Sequence, residues 1–192
     1  MVKLVILDMD GVLFTRDRFT KDNKYDNHDF VFKGYKYYIR EGASEFISRL
    51  NDSYDLCIFT SMVKSNAIQI INCITKVRFK HIFGREHTKL DPEYGIDPDI
   101  KSYDTIKLIN DVINCPILNK DRKYNLSNSI IIDDSYLKMR YNNPKNVIIY
   151  NHGSEYRWVN YILSDENTHI EDIDFVNIGS YGEILDYINN KD

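Results

Sequence analysis

Four short runs, residues 2–7, 56–59, 129–132 and 146–150, are apolar at nearly every position and rich in Val and Ile. A strand with one wet face alternates polar and apolar side chains, whereas a strand covered on both faces does not. The runs therefore predict interior strands of a parallel sheet. Between them lie amphipathic stretches: residues 42–50 with Phe46, Ile47 and Leu50 inward, residues 65–74 with Ile68, Ile71 and Ile74 inward, and residues 106–113. These predict crossover helices. Two more helical stretches, 155–163 and 181–189, flank an acidic segment, 164–174, and the tail is expected to pack on a sheet edge. Alternating strand and helix give an α/β fold, a central mostly parallel sheet flanked by helices, whose ligands bind outside the carboxyl ends of the strands. Residues 14–28 are charged and aperiodic, which predicts a loop leaving the first strand and able to border a groove, and the whole interval 14–36 has the length and polarity of a loop or hairpin.

Composition narrows the picture. With 192 residues and 43% hydrophobic content, and without repeats or a linker, the chain is expected to be one domain, 1–192. A formal net charge of -4 offers no bulk attraction to nucleic acid or an anionic membrane, so an anionic substrate must be held locally. Cys57, Cys73 and Cys115 are scattered, with neither a disulfide framework nor zinc-ligand spacing. The apolar start is too short for a signal peptide and no run is long enough to span a bilayer, so a soluble, intracellular protein is expected. Heavy use of Asn, Ile, Lys and Tyr fits an AT-rich genome, such as that of a large DNA virus or an AT-rich microbe.

Polar groups stand at three predicted strand ends: Asp8 and Asp10, then Thr60 and Ser61, then Asp133 and Asp134. Four carboxylates on one edge repel strongly unless a divalent cation neutralises them, and hard oxygen ligands select magnesium over zinc. One carboxylate could then attack phosphorus to form an aspartyl-phosphate while a second serves as acid and base, and Asp8 and Asp10 suit those tasks. Residues two apart on an extended chain share a side, and Gly11 permits a sharp turn beside them. The Thr60 hydroxyl and the Ser61 amide could bind phosphate oxygens, as helix N-termini do. A lysine is still wanted to offset the charge on nucleophile and phosphoryl group.

The segments LVILDMDGVL, IFTSM and IIIDDS resemble motifs I, II and IV of the haloacid dehalogenase-like superfamily in order and spacing. YYIREGASEFI, FTSMVKSNA, IFGREHT and KYNLSNSIIIDDSYLKMRYNNPKNVIIY extend the resemblance to its capless branch, the RNA polymerase C-terminal-domain phosphatases and the NLI-interacting-factor-like phosphatases, over about three quarters of the chain. The resemblance implies a three-layer Rossmann-like fold with no large cap domain. It implies Asp8 as nucleophile, Asp10 as general acid and base, and Thr60 on phosphate. Magnesium would be bound by Asp8, the Asp10 carbonyl and the Asp133–Asp134 pair, with Asp134 the preferred direct ligand and Asp133 an alternative whose other task is to fix the lysine. Lys107 is preferred as that lysine over Lys101, which would demand a longer helix. Val12 departs from the threonine common in this branch.

Taken singly, each feature has a plainer reading: a solvated acidic pair, turn and cap residues at Thr60 and Ser61, a surface helix lysine at Lys107. Tyr35, Tyr37 and Tyr38 read as packing. Convergence on one sheet edge favours catalysis. An uncapped site implies a phosphorylated macromolecule as partner, first a phosphoserine or phosphothreonine protein, with a polynucleotide 3′-phosphate as the alternative. A binding module that has lost catalysis is the reading from a different class.

Overall fold

The computed structural model describes residues 1–20, 27–92, 105–152 and 175–191. Strand β1 (Leu4–Leu7) leads into β2 (Phe14–Arg18), β3 (Phe30–Phe32) and β4 (Tyr35–Ile39), followed by α1 (Ala43–Ser53), β5 (Asp55–Phe59), α2 (Lys64–Ile74) and β6 (His81–Phe83). Then come β7 (Lys89–Leu90), β8 (Thr105–Ile106), α3 (Ile109–Ile113), β9 (Ser129–Asp133), α4 (Tyr136–Met139), β10 (Val147–Tyr150), β11 (Val176–Ile178) and α5 (Tyr181–Asn189).

The central sheet has the order β11-β10-β9-β1-β5-β6, and all of its pairings are parallel. Side chains on successive residues of β1 go to opposite faces. Val5 and Leu7 join Phe46, Ile47 and Leu50 of α1, Ile70 and Ile71 of α2, and Ile184 and Ile188 of α5. Leu4 and Ile6 join Ile109 and Val112 of α3 and Met139 of α4. The near-continuous apolar runs are thus the middle of three layers. Among the described residues no large cap covers the strand ends, and no helix is long and apolar enough to cross a membrane.

Residues 14–18 are not the loop that charge and lack of period predicted. They form β2, paired antiparallel with β4, which also pairs with β3. Tyr37 is buried at the centre of this small sheet, edge-on to Phe14 and stacked on Phe30. Helix α2 buries Ala67, Ile70, Ile71 and Ile74, while Ile68 faces solvent rather than the core. Ile106 belongs to the β7–β8 ladder, so α3 begins only at Ile109. The stretch predicted as helix at 155–163, the acidic segment after it and Lys101 lie outside the described residues; 181–189 is helical.

Candidate active site

Register alone collects the acidic residues. Leu7 pairs with Ile132 on one side and Ile58 on the other, so Asp8 stands level with Asp133, and Thr60 lies one residue beyond the level of Asp8. The Asp8 amide donates to Ile132 O at 2.9 Å, which prolongs the ladder and fixes the backbone of a side chain only 2% exposed.

Lys107 is wholly buried between these acids. Its Nζ donates to Asp133 Oδ2 at 2.6 Å and forms an ion pair with Asp8 Oδ1 at 2.8 Å. Burial alone would lower the ammonium pKa, but the charges of Asp133 and Asp8 outweigh it and hold it above its usual value. The position comes from the backbone: the Lys107 amide donates to Lys138 O, and the Asn142 side chain spans the Lys107 carbonyl and the Ile109 amide. Asp133 uses both oxygens, since Oδ1 accepts from the Ser135 amide at 2.8 Å. Burial raises its carboxyl pKa, with Lys107 opposing.

Asp8, Asp133 and Asp134 bring one carboxylate oxygen each within 4.8 Å of one another. Lys107 pairs directly with two of the three carboxylates, and Lys138 adds positive charge near Asp133 and Asp134. Asp134 is on the solvent side, and no donor among the described residues holds it. Local loss of hydration, then the charges of Asp133 and Asp8, push its carboxyl well above the ordinary range. The donor set is all oxygen, crowded and short of positive charge, which fits a hard divalent cation.

Asp10 lies beside this cluster rather than in it. Its Oδ2 accepts from Arg16 Nε at 2.6 Å, while the Arg16 guanidinium sits over the Tyr35 ring at 5.1 Å. Burial raises the Asp10 carboxyl pKa; Arg16 pulls it down, Asp8 pushes it up, and the net shift is upward. Gly11 makes the turn: its φ is +84°, and a Cβ there would lie 1.9 Å from Asp134 Oδ2. The glycine thus supplies both the left-handed backbone and the space that Asp134 occupies.

Thr60 is buried, with its amide on Phe83 O at 3.0 Å and its hydroxyl accepting from the Met62 amide at 3.3 Å. Ser61 stands three residues before the start of α2 rather than in its first turn, and its buried Oγ has no hydrogen-bond partner among the described residues. Its carbonyl accepts from Arg85 Nε at 2.8 Å. Arg16 and Arg85 are site cations that the sequence reading does not single out. The alternation of β2 with β4 could have flagged Arg16, whose cross-strand partner is the inward Tyr37.

Carboxylates at the carboxyl ends of β1 and β9 and a lysine bridging them stand together on a parallel three-layer scaffold, an arrangement suited to phosphoryl transfer. Residues 3–154 match the model of the NLI interacting factor-like phosphatase family, and the chain belongs to that family of phosphatases. Its fold is similar to that of Fcp1, an essential RNA polymerase II CTD phosphatase, at 16% identity and a TM-score of 0.52, covering 78% of this chain and 41% of that one. A haloacid dehalogenase-like family hydrolase from Streptococcus pneumoniae is similar along 97% of this chain and 98% of its own, at 15% identity and a TM-score of 0.52. No curated protein matches the sequence significantly.

Proposed function

We propose that the chain is a magnesium-dependent phosphomonoester hydrolase that works through a phosphorylated Asp8, with phosphoserine or phosphothreonine in an extended protein segment as substrate. The observation that carries this is the buried Lys107 bridging Asp8 and Asp133. A solvated lysine has no reason to lie there; one that orients a nucleophile and offsets a phosphoryl group does.

An Asp8 oxygen attacks phosphorus and the bond to the ester oxygen breaks, with Asp10 donating its proton to the departing oxygen. The raised carboxyl of Asp10 suits it to hold that proton, and Arg16 occupies Oδ2, leaving Oδ1 to carry it. Asp10 then takes a proton from water, whose oxygen attacks phosphorus and releases phosphate from Asp8. Thr60, Ser61 and Lys107 hold the non-bridging oxygens. Asp8, Asp134 and the Asp10 carbonyl would hold magnesium, with Asp133 fixing Lys107 through one oxygen and completing the acidic rim. The cation, when bound, supplies positive charge for the phosphoryl oxygens and the acids.

The lack of a large cap among the described residues supports a macromolecular substrate, and the family and the named activity of Fcp1 favour a protein one. Purified protein assayed with magnesium on phosphopeptides, 3′-phosphorylated oligonucleotides and small phosphate esters should prefer phosphopeptides. Preference for the oligonucleotide would assign a polynucleotide end-processing role instead, and preference for a small ester would contradict the open-site reading. Asp8→Asn should abolish hydrolysis of every substrate; turnover by that variant would remove the mechanism.

A further inference from the structure

The turn that carries Asp10 is closed from within and held from outside. Leu13 and Phe14 donate their amides to Met9 O at 2.8 and 3.3 Å, and the Gly11 amide donates to Phe14 O at 2.8 Å. Two carbonyls are taken by distant side chains: Arg40 Nε donates to Gly11 O at 2.8 Å, and the Tyr181 hydroxyl donates to Val12 O at 2.6 Å, across 169 positions of sequence. Val12 is fully buried, so without a donor its carbonyl would pay the cost of an unmet hydrogen bond.

Tyr181 is itself tightly placed. Its ring stacks on Phe46 with centroids 4.3 Å apart and on Tyr150 at 5.1 Å, and the Arg40 guanidinium lies 5.7 Å from the Tyr150 ring centre. Burial, and then the neighbouring Tyr150, push its hydroxyl pKa above the ordinary phenol range, which favours the protonated, donating form. Tyr181 opens α5, beyond residue 154 where the family match ends.

We infer that Tyr181 is a positioning residue for the Asp8–Asp10 pair, its hydroxyl fixing the Val12 peptide and hence the course of the turn two residues after Asp10. The inference rests on the reading of Asp8 and Asp10 as the catalytic pair. With the peptide free to rotate, the acid drifts relative to the leaving oxygen, and displacements well under an ångström already cost rate. The C-terminal helix thus completes an active site whose nucleophile and acid lie in the first ten residues.

Tyr181→Phe removes the donor and keeps both ring stacks. Tyr54→Phe is the control, since the Tyr54 hydroxyl ties α5 at its other end, to Asn189 Oδ1 at 2.6 Å. Steady-state kinetics with magnesium on a phosphoserine peptide, whose alkoxide leaving group needs the acid, paired with thermal melts, separate a positioning role from a tether. Tyr181→Phe should lower kcat by about tenfold or more with KM changed by less than about twofold, while Tyr54→Phe keeps kcat within about twofold and melts no higher. A kcat for Tyr181→Phe within about twofold of wild type, or an equal loss in Tyr54→Phe, overturns the inference. Asp8→Asn run alongside keeps the two readings apart. Activity in that variant removes the catalytic pair and the inference with it, whereas an inert Asp8→Asn beside an unimpaired Tyr181→Phe removes only the role of Tyr181.

Discussion

Lys107 and Asp133 meet at 2.6 Å with neither side chain exposed to solvent. A buried pair of this kind is weak evidence of net stabilisation, because desolvation of both charges offsets their attraction, but removing one partner leaves the other stranded. Lys107→Met should therefore cost about 3 kcal/mol or more, and adding Asp133→Asn should recover part of that loss. Catalysis should not recover with it: both variants should lose roughly 10²-fold or more in kcat/KM, because the nucleophile has lost its counter-charge. Urea unfolding and p-nitrophenyl phosphate hydrolysis read the two effects separately. Wild-type turnover by Lys107→Met would remove the lysine from the mechanism.

Gly11 and Gly34 offer a matched pair. Both have positive φ, +84° and +78°, but a Cβ at Gly34 meets nothing within 4 Å whereas one at Gly11 overlaps the Asp134 carboxylate. Each substitution by Ala should cost about 1 kcal/mol from the backbone alone. Only Gly11→Ala must also displace Asp134, so only that variant should lose activity, by about 10²-fold. Equal activity in the two variants would show that the seat of Asp134 does not matter.

Much of this site is legible in the sequence because two-sided burial leaves a plain mark. The apolar runs locate the strands, and the first polar residues after a run mark its carboxyl end, so Asp8, Thr60 and Asp133 can be found without any geometry. Lys107 is reachable only through motif order, since its own neighbourhood reads as helix although Ile106 is strand. Strand β2 escapes a reading of its own residues because its inward Arg16 serves Asp10 rather than the core, and only the cross-strand partner Tyr37 on β4 marks that position as inward. Ile68 reads as inward but is not, because small Ala67 holds the buried stripe of α2 and shifts its phase by one residue. Tyr181 leaves no local signal at all, since its partner is a backbone carbonyl 169 residues away.

The raised carboxyl of Asp134 makes a signed prediction about metal. A carboxyl whose folded pKa lies above its unfolded value favours folding while protonated, and that contribution is lost as pH rises towards neutrality. At pH 7 without metal, Asp134→Asn should therefore melt above wild type. Magnesium that binds only the folded chain should raise both midpoints, the variant's by less, because the amide oxygen of Asn is still a ligand but a neutral one. Melts in chelator and in excess magnesium test both halves. A variant that melts below wild type in chelator would show that the cluster is not self-repelling, and an equal response to magnesium would show that the charge of Asp134 does not help to hold the cation.

Asp55 carries the opposite sign and lies far from the chemistry, at the start of β5. Partial burial works against its charge, but Lys123, Lys80 at 3.1 Å and the Tyr124 hydroxyl at 2.9 Å prevail, and its carboxyl is held down at about 2. Its contribution to folding is present above the unfolded carboxyl range and is lost as pH falls through the folded value. Both lysines are about half exposed, so screening reduces the coupling to roughly 1 to 2 kcal/mol at neutral pH. Asp55→Asn should be less stable than wild type by that amount at pH 7, and the gap should close between about pH 4 and pH 2 and narrow in high salt. Urea unfolding across that pH range measures it. A gap independent of pH would assign the loss to the shape and hydrogen bonds of the side chain rather than to its charge.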